Sequence, residues 1–179
     1  MTTTTKMTCD EFIELAERGQ FAGQKVMLIE GEIVPMAAMG VPHTNSVLLT
    51  LQVLQQVFAT GFVVRPQLPL RLNGISEPEP DFAVTVGQLR RSTSLPTTAV
   101  LIVEIADSSL GYDLGAKANL YASANILDYW VLDIENDQLI VHRDPQNGVY
   151  TTITTHAETE LVSPLAMPNA TILVSDMLP

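Results

Sequence analysis

The chain has 179 residues, 46% of them hydrophobic, which is ample for one packed core and too short for two full domains. Nine Lys and Arg against 20 Asp and Glu give a net charge of −11, which argues against a basic coat for nucleic acid but leaves room for a local groove or a metal-bridged contact. A single cysteine, Cys9, rules out an intrachain disulfide or a cysteine zinc cage. No apolar run is long enough to span a bilayer, and the opening MTTTTKMTCDEF has no apolar signal core, so a soluble, cytoplasmic protein is expected.

Residues 1–8, with the low-complexity Thr2 to Thr5, read as a disordered tail before a single domain over 9–179. Thr8 and Glu11 spell a capping box, predicting a short helix that ends near Gly19. KVMLI and EIVPM flank Glu30 and Gly31 and read as a tight hairpin. Pro42 opens a second helix, in which Val47, Leu51, Leu54 and Phe58 form one apolar stripe that Gly61 stops. FVVRPQLPLRL is extended but broken by prolines, as at a sheet edge. PDFAVTV and AVLIVEIA are strands, the second apolar enough to be central and covered on both faces. Asp113 to Ala124 reads as a third helix. DYWVLDI, QLIVHRD and VYTTITTH form an antiparallel meander, and ELVSPLAMPNATILV reads as short strands and turns. The order predicts an α/β or α+β core with a mixed sheet and at least two packed helices.

Three residues fit poorly with structure alone. Glu104 lies inside LIVEIA, where an isolated carboxylate is costly unless a cation, a proton or strong donors accompany it; a structural salt bridge is the plain alternative. Asp81 opens its strand directly after the acidic run of Glu77 and Glu79, which are themselves expected to be solvated. Lys117 shares a helical face with Asp113 and Tyr121 at spacings of four and four, although an ordinary surface pair would look the same. His43 starts the long helix, where a lone histidine is usually a boundary residue, and Glu32 could face either way. His142 and His156 show no ligand spacing to it. The Arg90-Arg91 pair is too small for a nucleic-acid patch. Phosphate loops, dinucleotide fingerprints and serine elbows are absent. An acid at one strand start, an acid within the next strand and a lysine from the following helix can meet, and two carboxylates suit Mg²⁺ or Mn²⁺ and phosphodiester hydrolysis.

Pro80-Asp81, Glu104-Ile105-Ala106-Asp107-Ser108-Ser109, then Asp113, Lys117 and Tyr121, and Asp128 to Asp133 together resemble the Uma-family restriction endonucleases of the PD-(D/E)XK nuclease superfamily. The Gly31-Glu32 hairpin and the helix opening with His43 match the same pattern. The resemblance covers roughly Asp10 to Leu173 and implies a restriction-endonuclease-like core, a mixed central β-sheet flanked by helices. It also implies that Asp81, Glu104 and the Ile105 carbonyl bind Mg²⁺ or Mn²⁺. The superfamily's lysine position holds Ala106 here, so Lys117 is implied as the catalytic lysine. Glu32 and His43 would line the site, and Asp113 and Tyr121 would orient Lys117. The leading expectation is a Mg²⁺-dependent DNA endonuclease; the rival is a catalytically inactive nuclease fold used for binding or assembly. Positive mean hydropathy in a short acidic chain, and the value of two sites for double-strand cutting, point to a homodimer or higher homo-oligomer.

Overall fold

The computed structural model describes residues 6–88 and 94–179. The tail expected over 1–8 is tied down where it is described. The Met7 amide bonds the Gly31 carbonyl, and Thr8 and Glu11 close both bonds of the capping box that starts α1 (Cys9–Glu17). Thr2 to Thr5 and the Arg90-Arg91 pair lie outside the described residues. β1 (Val26–Ile29) and β2 (Glu32–Pro35) form the hairpin, and Glu30 and Gly31 both adopt positive φ, the backbone of a type I′ turn. Gly31 is required twice over: at φ 80° a Cβ would also sit 2.6 Å from that of Lys6.

Five further strands and β3 (Phe62–Pro66) make a six-stranded sheet in chain order: β4 (Phe82–Val86), β5 (Leu101–Ala106), β6 (Asp128–Asp133), β7 (Gln138–Gln146) and β8 (Val149–Ala157). β5 and β6 are parallel and every other pair is antiparallel, so the sheet is mixed, as read from the sequence. The proline-broken segment supplies the edge strand β3. The tail adds the short pair β9 (Leu161–Val162) and β10 (Ile172–Leu173).

Strand alternation then decides which helix each side chain meets. Leu101, Val103 and Ile105 face α2 (Val41–Val57), where they pack with Leu54, Phe58, Phe82 and Trp130. Ile102 and Ala106 face the opposite way, onto a core with Ala83, Tyr121, Tyr129 and Val131. Glu104 is in phase with Ile102 and Ala106, and Asp81 with Ala83. Both acids therefore belong to the second face.

The third helix begins earlier than Asp113. It runs as α3 (Leu110–Tyr112), a π-helical turn over Asp113–Lys117, and α4 (Ala118–Ser123). The spacing predicted an uninterrupted α-helix. At the start of this wider turn the buried Tyr129 hydroxyl donates to the Asp113 carbonyl at 2.9 Å. Asp128, also fully buried, accepts from the Trp130 indole, Arg143 and the Leu165 amide, a structural role that satisfies it completely. Among the described residues, no helix is long and apolar enough to cross a membrane.

Candidate functional site

The β4–β5 register pairs Phe82 with Val103, so one step outward Asp81 stands opposite Glu104. The Asp81 amide donates to Glu104 Oε2 at 3.3 Å, and the Ile105 amide donates to Asp81 Oδ2 at 2.9 Å. From the helix above, Lys117 Nζ reaches Glu104 Oε2 and Asp113 Oδ1, both at 3.0 Å. Tyr121 donates its hydroxyl to Glu104 Oε1 at 2.7 Å. His43 Nε2 meets Asp81 Oδ1 at 3.0 Å from the first turn of α2. Ser109 Oγ holds the other oxygen of Asp113 at 2.5 Å.

Six of the seven side chains singled out in the sequence thus meet: Asp81, Glu104, Lys117, His43, Asp113 and Tyr121. The seventh does not. Glu32 is exposed at the start of β2, outside the lining of the cavity that Val34, two residues on, does reach. The expectation for the acidic run also needs correction. Glu77 is only 6% exposed and pairs with Arg71 at 3.0 Å, and Glu79 lines the cavity; neither is a solvated turn residue. Gln67 was not singled out, yet its Nε2 donates to Asp81 Oδ1 at 3.2 Å while its backbone takes φ 48° and its amide bonds the Asp81 carbonyl. A left-handed, non-glycine residue between two prolines is strain held by its surroundings. The Pro66-Gln67-Leu68-Pro69 punctuation was the available signal.

Asp81, Glu104, Lys117, His43 and Gln67 form the floor of a cavity of about 410 Å³, open to solvent, whose lining also includes Lys25, Met27, Val34, Met39, Tyr112 and Ser109. Glu104 is 2% exposed and Asp81 9%. Burial drives the Glu104 carboxyl up to about 7; the Lys117 ammonium opposes this, and Asp81 and Asp113 add to it. Burial would also lower Lys117, but Glu104 and Asp113 outweigh it and hold the ammonium above its ordinary value. Asp81 is the reverse case of Glu104. Burial raises it, yet the His43 bond, the Ile105 amide and Gln67 together pull it below the ordinary 3.8. His43 is raised in return, chiefly by its bond to Asp81.

The pH dependence follows from these signs. A carboxyl with a raised folded pKa favours folding fully below its ordinary 4.5, and that contribution is lost as pH climbs through about 7. His43, also raised, gives stability below 6.5 that disappears as pH rises through its folded value. Asp81, being lowered, loses its contribution only in acid, below 3.8. Metal-free protein is therefore expected to melt at falling temperature from about pH 5 to 8. In Glu104→Gln the fall should be shallower, with only the His43 part remaining. Calorimetric melts at stepped pH check this; parallel profiles for the two proteins would reject it.

Chemically, the floor carries Asp81 and Glu104 beside the Lys117 ammonium and the His43 imidazole, with Asp113 buried behind Lys117. That surplus of hard oxygen donors on an open cavity fits a divalent cation. Among the described residues, no group of three or more His, Cys, Asp or Glu is arranged to hold an ion. A cation here would take the two carboxylates and complete its shell from backbone, water and substrate, the mode Mg²⁺ favours.

The family model Uma2, "Putative restriction endonuclease", matches residues 9–175. Among solved structures, one from Anabaena variabilis, described as a "putative nuclease belonging to DUF820", superposes with a TM-score of 0.73 at 16% identity, covering 96% of this chain and 97% of that one. At that identity the likeness speaks for the fold. No curated protein matches the sequence.

Proposed function

Since the chain belongs to the Uma2 family, "Putative restriction endonuclease", we propose that it is a metal-dependent DNA endonuclease whose site is the floor of this cavity. The observation that carries the reading is the placement of Asp81 and Glu104 side by side across two strands, with Lys117 on the same oxygen of Glu104. Asp81 and Glu104, with the Ile105 carbonyl, would hold Mg²⁺ or Mn²⁺. Such an ion, when bound, polarises a phosphate and lowers the pKa of a coordinated water.

The side chains divide the remaining work. The bond from His43 keeps Asp81 ionised and ready to ligate. Tyr121 fixes the Glu104 carboxylate by one oxygen and leaves the other toward Lys117. Asp113, itself clamped by Ser109, holds the Lys117 stem so that the ammonium stands where negative charge grows on the phosphate. A lysine thirteen residues beyond the second acid can do this because the helix after β5 folds back over the face that Glu104 points from.

One observation favours the inactive, binding reading instead. Every oxygen of Asp81 and Glu104 already has a protein partner, so the cluster is also a self-sufficient buried ion pair. Titration calorimetry with Mn²⁺ and nicking of plasmid DNA by the purified protein separate the two. The nuclease reading expects metal-dependent heat and cleavage, both lost in Asp81→Asn. Equal cleavage by Asp81→Asn and wild type, or no heat with either, would reject it.

A further inference from the structure

The cavity above the acids is walled by apolar and aromatic groups rather than by cations. Val34, Met36 and Met39 come from β2 and the segment behind it, and Tyr112 comes from α3. Tyr112 is 36% exposed and lines the cavity, and its ring centre lies 5.9 Å from Lys117 Nζ. The lining's lysines are Lys25 and Lys117, set against Glu79, Asp81 and Glu104. Elsewhere among the described residues, Arg18, Arg71 and Arg143 each pair with a carboxylate, and Arg65 donates to the Pro69 carbonyl.

Proteins that grip duplex DNA spread several lysines and arginines along its phosphates, commonly about 6–10 contacts. This lining offers no such run. Proteins that bind unpaired strands replace much of that charge with bases stacked on aromatic rings or lodged among apolar side chains. A cavity near 410 Å³ falls in the range that encloses one small molecule, the scale of a single nucleotide rather than of a helix.

Building on the nuclease reading above, we propose that the DNA strand is cut unpaired. One base stacks on Tyr112 and is flanked by the methionine and valine wall, which brings the adjoining phosphate to the Lys117 ammonium. Tyr112 is thereby a substrate-binding residue that sets the preference for single strands. Its proximity to Lys117 ties the stacking surface to the reacting end: the ammonium stands over one face of the ring, 5.9 Å from its centre, and a base would take the other.

The test is steady-state cleavage, with Mn²⁺, of a fluorescent oligonucleotide alone and annealed to its complement. The proposal expects kcat/KM at least about tenfold higher for the single strand. Tyr112→Ala should raise KM for that strand roughly five- to hundredfold with kcat within about twofold, while Tyr112→Phe, which keeps the ring, restores KM. Melting of each variant shows whether the fold is intact, and Tyr112→Leu, which fills the space without a ring, should raise KM as Tyr112→Ala does. Duplex cut as fast as single strand, or a KM indifferent to Tyr112→Ala, overturns the proposal and leaves the nuclease reading standing. Cleavage of neither form by wild-type protein defeats the nuclease reading, and this inference with it.

Discussion

Replacing Lys117 with methionine is expected to abolish metal-dependent cleavage and to lower the melting temperature on the order of 10 °C in metal-free buffer at pH 8. Methionine keeps most of the stem volume, so the effect isolates the charge. Lys117 is 14% exposed and neutralises two carboxylates that are 2% and 1% exposed. Removing one partner of a buried pair leaves an uncompensated buried charge, typically a loss of about 3–5 kcal/mol. Here two acids are stranded, and both then repel Asp81. The loss should shrink as pH falls through the neutral range, because Glu104 can take up a proton. Saturating Mn²⁺ should recover part of it by replacing the missing positive charge, without restoring cleavage. Differential scanning calorimetry at pH 6 and 8, with and without Mn²⁺, reads all three effects. A variant that melts like wild type at pH 8 would show that the ammonium is a surface charge in solution.

Glu104→Gln should leave the fold in place but reduce cleavage by roughly a hundred- to a thousandfold, the usual range for losing one electrostatic element of an active site. The amide is nearly isosteric: its oxygen can keep the bond from Lys117 while its NH2 donates to the Tyr121 hydroxyl oxygen. It lacks the charge that a divalent ion requires, so Mn²⁺ heat should be lost together with activity. Circular dichroism and titration calorimetry on the same preparation separate the two consequences. Wild-type cleavage in Glu104→Gln would move the reaction away from this cavity.

The acids were legible in the sequence because burial and charge conflict visibly there. LIVEIA demands burial at every position, and period two places Glu104 on one definite face. The sheet was legible for the same reason, from the apolar central strand and the proline-broken edge. Other parts depended on geometry that no spacing records. Gln67 reaches Asp81 only because the chain turns left-handed after Pro66. Glu77 looked solvated because its partner Arg71 arrives through a loop rather than a regular strand. Tyr112 was passed over because it lies in a helical segment three residues long, before the periodicity that marked the helix begins. Glu32 shows the converse: the hairpin formed as expected, but its turn end carries that carboxylate outward.

The wide turn at Asp113–Lys117 amounts to one surplus residue in a helix whose ordinary pitch advances each position by about 100°. Lys117, at the end of that insertion, and Tyr121, one regular turn beyond it, address the two oxygens of Glu104. Deleting Gly115, whose α-carbon has open space around it, would let the segment relax to a regular spiral. The relaxed helix would carry Lys117 and Tyr121 together through about 100° relative to Asp113, so the Asp113–Lys117 contact and the paired grip on the acid could not both be kept. Shortening this loop-to-helix junction by a single codon is thus a sharper lesion than most point changes in the pocket, and natural length variation at this spot should sort chains by whether the paired grip survives.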